Sequence, residues 1–354
     1  MQRYCRRVDR RDFILYVEEL EVMVRLVRPF GDLKAELRAL RETVGAVDAV
    51  PYGGVVEITG SDRSTFLHNM CTNDIGNLAP GGGCELFLAN VKGKTLAYAL
   101  ALCRETSLVL VTAEGRAGEM IAHLDRYIIR EDVQLHDRSE EWASLLLAGG
   151  ESDKIVGEML NVDPPGGWCR HETGTSEGRG VRVCAMDQYG AGGFLLTADV
   201  ETMSALAGRI ADRGVLGCGL AAAEVLRIES GLPMFGADIT EENFPQEVGR
   251  DEFAVSFTKG CYLGQETVAR IDALGHVNRL LCGLRFECDD PPLAGTAVSA
   301  EGSEVGRVTS AVYSPRAGTP IALAYLKRGF TATGTQLQVK DAAAHVVELP
   351  MPVV

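Results

Sequence analysis

Apolar residues recur at spacings of four, three and four at Leu33, Leu37, Leu40 and Val44, which places them on one face of a helix. A helical segment over residues 13–43 follows, with Gly45 as its stop. Residues 54–60 (GVVEITG) read as a strand ended by glycine. Ser61 and Asp62 stand where they can cap a helix over 64–70. The polar cluster Cys71-Thr72-Asn73-Asp74 breaks that pattern, and Pro80-Gly81-Gly82-Gly83 makes a turn. Two later units resemble each other: LVLVTAE at 108–114 and FLLTAD at 194–199 each end in Thr-Ala-acid. Each leads into a helix, with Met120, Ile121, Leu124 and Ile128 on one and Val200, Met203, Leu206 and Ile210 on the other. Two related α+β lobes are expected, and the Gly-rich stretch 164–193 between the two units is expected to contain a long exposed loop. Beyond residue 279 the texture becomes short β-like runs (280–286, 305–313, 321–325, 336–339, 346–349) parted by turn residues, which predicts a small all-β barrel or sandwich.

At 354 residues the chain is long for one core, so more than one domain is expected. A net charge of −14 disfavours binding to nucleic acid or anionic lipid through bulk charge. No run of 18 apolar residues exists, so no transmembrane helix is expected. Ten cysteines show no two-residue pairing, which fits free thiols in a reducing cytoplasm. The Arg-rich start, including Arg10-Arg11-Asp12-Phe13-Ile14, looks like an export signal. Glu18, Glu19 and Glu21 interrupt the stretch that would have to be its apolar core, so an amphipathic helix is the plainer reading. The six histidines show no metal-ligand spacing, and no metal site is expected.

Four segments carry candidate chemistry. The loop Lys259-Gly260-Cys261-Tyr262-Leu263-Gly264-Gln265-Glu266 follows an alternating stretch at 253–257 that reads as a strand. Its glycines permit close approach, and an ammonium two residues from Cys261 favours thiolate. The bland alternative is a turn whose cysteine fills a small space. Arg227-Ile228-Glu229-Ser230-Gly231-Leu232-Pro233 ends a helical run and places Glu229 against the helix dipole. A surface pairing of Glu224 and Arg227 would explain it equally. Thr72-Asn73-Asp74 is either a turn or part of a polar ring, and Asn90-Val91-Lys92-Gly93-Lys94 reads as a hairpin turn whose lysines could meet an anionic tail.

Together these segments resemble one family. Gly60, Asp62, Phe66-Leu67 and Thr72-Asn73-Asp74 stand in the order found in the glycine-cleavage aminomethyltransferase superfamily, as do 227–233 with Gly236, Asp238 and Pro245-Gln246-Glu247. The loop 259–266, followed by Val268-Ala269-Arg270, Gly275, Asn278-Arg279 and Gly283-Leu284, is similar to the signature of the folate-binding YgfZ-type branch. The resemblance covers roughly residues 37–340.

It implies an α+β fold: a bilobal body around a central folate channel at 31–278 (lobes at about 31–140 and 141–278), a C-terminal β-barrel at 279–354, and an extension at 1–30. It implies tetrahydrofolate as the cofactor, with Glu229 near the pterin, Asn73 in the pocket wall, and Arg227, Lys259 and Gln265 among the binding residues. Cys261 would be the reactive thiol, and the partners would be iron–sulfur client or assembly proteins. One departure separates the branches. Aminomethyltransferases carry an aspartate on the strand after the Asn-x-x-Gly turn, whereas residues 93–102 here hold no acid. The transferase therefore stands as the alternative to a cluster-maturation role.

Overall fold

The structure, a computed structural model, describes residues 32–48, 52–186 and 192–352. The Arg-rich start and most of the helix expected over 13–43 lie outside the described residues; the remainder is helix α1, Leu33–Glu42. In chain order there follow β1 (Gly45–Asp48), β2 (Gly54–Thr59), α2 (Arg63–Met70), β3 (Gly83–Ala89), β4 (Thr95–Cys103), β5 (Leu108–Thr112), α3 (Ala117–Asp125) and β6 (Gln134–Asp137). The second half of the body holds β7 (Trp142–Ala148), α4 (Ser152–Leu160), β8 (His171–Ser176), β9 (Arg179–Ala185), β10 (Gly193–Asp199), α5 (Val200–Asp212), β11 (Leu216–Cys218) and α6 (Leu220–Glu229).

Among the described residues these strands form two sheets, ordered β3-β4-β5-β2-β6 and β11-β1-β7-β10-β9-β8. Both expected strand-to-helix units are present, one in each sheet. The boundary near residue 140 needs one correction: β1 pairs with β7 and β11, so residues 45–48 belong to the second sheet. Side chains alternate across each sheet with a period of two. In β5, Leu108 and Leu110 join a core beneath α2 and α3, while Val109 and Val111 face the other way. In β7, Leu145 and Leu147 pack with α4 and α5, while Leu146 and Ala148 face the first sheet. The result is a four-layer body, helix–sheet–sheet–helix, in which α1 and α6 complete the central core.

Two local expectations change, one narrowed and one overturned. The exposed loop expected within 164–193 is confined among the described residues to 164–170, because His171–Ala185 form the β8–β9 hairpin, whose residues pair from His171↔Cys184 to Ser176↔Arg179. Residues 253–257 are not a strand: Asp251–Ala254 form a short helix, α7, and Ala254 and Val255 are buried under the loop that follows. That loop ends in α8 (Gln265–Leu274).

The C-terminal strands are β12 (Arg279–Phe286), β13 (Ala297–Ala300), β14 (Ser303–Ser314), β15 (Thr319–Lys327), β16 (Gln336–Val339) and β17 (Ala342–Val347), and they close into a barrel in the order β12-β15-β14-β13-β16-β17. Closure leaves no unpaired edge. The barrel docks on α6 through Ile228, Leu281, Ile321, Leu323 and Tyr325. A register shift between Val308 and Ser310 interrupts the alternation of β14. Both Thr309 and Ser310 therefore turn their hydroxyls to Asp238 of the body, at 2.5 and 2.7 Å. No helix among the described residues is long and apolar enough to cross a membrane.

Candidate functional site

A cleft opens where the facing sides of the two sheets meet the segment after α6, with about 490 Å³ of empty space counting its open mouth. Its wall is aromatic and aliphatic: Tyr52, Tyr98, Leu100, Val111, Trp168, Met234 and Phe235, with Arg227 at one side. Tyr98 and Leu100 point inward for the same period-two reason that sends Ala97 and Ala99 to the outer core. β4 carries no acid, and its cavity side presents Tyr98. A carboxylate stands on the neighbouring strand instead. Glu85 accepts the Tyr98 hydroxyl at 2.5 Å and Arg250 Nε at 3.0 Å, with its side chain fully buried. Burial, and then the charge of Glu85, hold the Tyr98 phenol well above its usual pKa, so it stays protonated.

The sequence singled out six residues, and the structure distributes them. Arg227 lines the cleft, but its guanidinium is committed to the junction with the barrel. It donates to Leu232 O (2.7 Å), Asp238 Oδ2 (2.6 Å), Ser310 Oγ (2.9 Å) and the Glu224 carboxylate. The pairing with Glu224 is present, but Arg227 is buried and not at the surface. Glu229, two residues on, faces a different cleft beside the barrel, lined also by Arg285 and Arg316. Its carboxylate binds Arg41 Nη2 at 2.5 Å and the Ser314 hydroxyl at 2.6 Å. Asn73 ties two segments together, its amide donating to Glu85 O (2.8 Å) and Phe253 O (2.7 Å).

Lys259 corrects a sequence argument. Its ammonium does not turn to Cys261. It donates to the carbonyls of His68, Cys71 (2.8 Å) and Asn73 (2.9 Å), at the negative end of α2. Burial pushes its pKa below the usual lysine value. Lys259→Met takes the ammonium from three carbonyls, of which Asn73 O keeps Ile75 N at 3.1 Å, and is expected to cost about 2–3 kcal/mol, the scale of charged hydrogen bonds. Urea unfolding measures the cost, and hydrogen exchange at Leu263 N, which bonds Asn69 O at 3.0 Å, reads the loosening of the loop. Unchanged stability together with unchanged exchange would contradict this role.

Gln265 begins α8 and its Oε1 accepts Tyr262 N at 3.1 Å, shaping the turn that presents Cys261. Gly264 adopts φ 82°, and a Cβ there would lie 2.3 Å from Asn90 O. Gly93 has φ 76°, and a Cβ would meet Thr267 Cβ at 2.7 Å. The Lys92-Gly93-Lys94 turn and the Cys261 loop thus fit together through two glycines. Gly260 has no such constraint, since a Cβ there meets open space. Tyr262 packs against a buried cluster that includes Phe87, Phe235 and Val268, and Tyr98 of the cleft wall borders the same cluster.

Cys261 is the exposed cysteine among the nine described, all of which are free. Cys71 is buried, and burial pushes its pKa up to about 11, which leaves it a protonated and inert thiol. Sequence reasoning missed Glu85, Arg250, Tyr98 and Trp168. A lone glutamate between Cys84 and the apolar run Leu86-Phe87-Leu88-Ala89, inside β3, was the available signal for the first.

The comparisons agree with this architecture. Residues 25–259 match the GCVT N-terminal domain, and residues 279–351 match the glycine cleavage T-protein C-terminal barrel domain. An aminomethyltransferase of Symbiobacterium thermophilum is 30% identical over 364 aligned residues, covering 95% of this chain and 96% of its own. One from Geobacillus kaustophilus is also 30% identical, covering 91% and 90%. The crystal structure of the glycine cleavage system aminomethyltransferase T from Bartonella henselae superposes with a TM-score of 0.81 at 22% identity, over 95% of this chain and 96% of that one, and shares its fold. The chain belongs to the glycine-cleavage T-protein family, with that family's two-sheet body and C-terminal barrel.

Proposed function

We propose that this protein binds tetrahydrofolate or a one-carbon derivative in the cleft between its sheets, and that Cys261 serves the assembly or repair of iron–sulfur clusters in client proteins, as in the YgfZ-type branch. The observation that carries the reading is the coupling of the two features. The exposed thiol sits on a loop whose next residue, Tyr262, packs against the buried cluster that holds Phe235 and borders Tyr98, two residues of the cleft wall. Flat aromatic walls suit a pterin ring, and ligand sites of this kind are mostly apolar with a few placed polar groups. One thiolate supplies one ligand where a cluster takes four, so the client or an assembly protein has to provide the others.

Folate-dependent aminomethyl or methyl transfer is the second reading. It is favoured by the 30% identity to named aminomethyltransferases. Against it, β4 offers Ala97 and Tyr98 and no acid, so charge developing on a folate nitrogen has no carboxylate of that strand beside it. An aminomethylated carrier protein incubated with tetrahydrofolate and this chain is expected to turn over no faster than without the chain. Robust turnover that survives Cys261→Ala would replace the first reading with the second.

A further inference from the structure

Most polar side chains on the cleft wall already have protein partners. Tyr98 donates to Glu85, the Thr112 hydroxyl donates to Tyr98 O at 2.8 Å, Arg227 is held by the barrel junction, and Tyr52 is likewise engaged. Trp168 differs. Its indole Nε1–H is buried and meets no acceptor among the described residues. Orphaned buried donors are few in native proteins, and each asks for a reason.

The backbone around Trp168 is held in an unusual way. Gly167 has φ 94° and Cys169 has φ 60°, so the tryptophan stands between two left-handed residues, one of them not glycine. That conformation is costly for an L side chain and persists where the surroundings enforce it. They do so here through Cys169 N to Ala185 O (3.1 Å), Ala185 N to Arg170 O (2.8 Å) and Arg170 N to Gly167 O (3.0 Å). Cys169 is fully buried in the central core. The end of β9 thus fixes the backbone on either side of Trp168, which lines the cleft.

Resting on the function proposed above, we infer that Trp168 is the specificity-determining donor of the cleft, and that its indole N–H reads the ring carbonyl oxygen of a 4-oxo pterin. Indole donates and does not accept. The reduced pterin edge is rich in donors, and its ring carbonyl is the strong acceptor that this orphan can meet. Exchanging that carbonyl for an amino group sets donor against donor, the kind of mismatch that buried polar sites reject most strongly.

The test is calorimetric titration of the full chain with tetrahydrofolate and with its 4-amino analogue, for wild type and Trp168→Phe. Wild type is expected to prefer the 4-oxo ligand by about tenfold or more, the scale of one hydrogen bond. Trp168→Phe, with an unchanged melting temperature, is expected to keep the aromatic wall and retain no more than about threefold preference. A folded Trp168→Phe with the wild-type preference, or a wild type without one, overturns the inference while leaving folate binding intact. A wild type that binds neither ligand removes the functional proposal as well. A second reading does not depend on the stability of that variant. The chain has two tryptophans, so Trp142→Phe leaves Trp168 as the only indole emitter. Its emission is expected to change saturably with tetrahydrofolate, at the calorimetric midpoint. No change at a saturating concentration overturns the inference.

Discussion

Replacing Glu85 with alanine is expected to lower the stability of the body by about 3–5 kcal/mol, the usual consequence of breaking a buried ion pair by removing one partner. The Glu85 side chain is 0% exposed and that of Arg250 is 9% exposed, so little water can replace the missing carboxylate. The change also takes away the acceptor of Tyr98 on the cleft wall. Replacing both Glu85 and Arg250 is expected to cost clearly less than the sum of the single changes, because the second substitution removes the guanidinium left without its carboxylate. Urea midpoints for the two single variants and the double variant test this. A Glu85→Ala loss below about 1 kcal/mol would mean the pair is not the buried anchor described here.

The second large effect is expected at Arg227. Its side chain is 3% exposed and that of Asp238 is 0% exposed, and the two join α6 to the hydroxyls that the β14 irregularity turns outward. Arg227→Met leaves Asp238 charged among Thr309, Ser310 and the backbone of Met234, and a loss of about 3–5 kcal/mol is expected. Arg227→Lys is expected to recover little of it. An ammonium is a point charge, whereas the guanidinium reaches Glu224, Leu232 O, Asp238 and Ser310 in one planar fork. Thermal unfolding separates the cases. A lysine variant that melts with wild type would show that charge alone, and not the fork, joins body to barrel.

Much of the fold was legible in the sequence because its strands are short apolar runs bounded by turns. β5 and β10 are covered on both faces, so they read as near-continuous hydrophobic segments. The barrel strands were placed within a few residues apart from β13, whose four residues Ala-Val-Ser-Ala carry little pattern. The failures have physical causes. β8 is an edge strand of the sequence HETGTS, and its polar character is what an exposed loop would also show. Residues 253–257 alternate as a strand does, but among the described residues no strand pairs with them; Phe257 ends 48% exposed, while Ala254 and Val255 are buried in the cluster that Tyr262 packs against.

The candidate site was legible as a set of segments and not as a geometry. The sequence places Lys259 two residues from Cys261, but cannot show that the ammonium is spent on the end of α2. It places Glu229 two residues from Arg227, but cannot show that the roughly half-turn of helix between them leads to two different clefts. Trp168 sits in a Pro-Gly-Gly-Trp stretch that reads as a loop, and only the tertiary fold brings it to the cleft wall.

The central claim joins a folate-family fold to a thiol at Cys261. The most direct measurement is rescue of a cell with defective iron–sulfur enzymes, and lacking its own protein of this kind, by wild type and by Cys261→Ala at matched expression. Cys261 is exposed, and its alanine variant is expected to fold and to bind tetrahydrofolate within about twofold of wild type, since surface substitutions usually shift energies by under about 0.5 kcal/mol. The account predicts restored iron–sulfur enzyme activity with wild type and none above background with Cys261→Ala. Equal rescue by the two would contradict it.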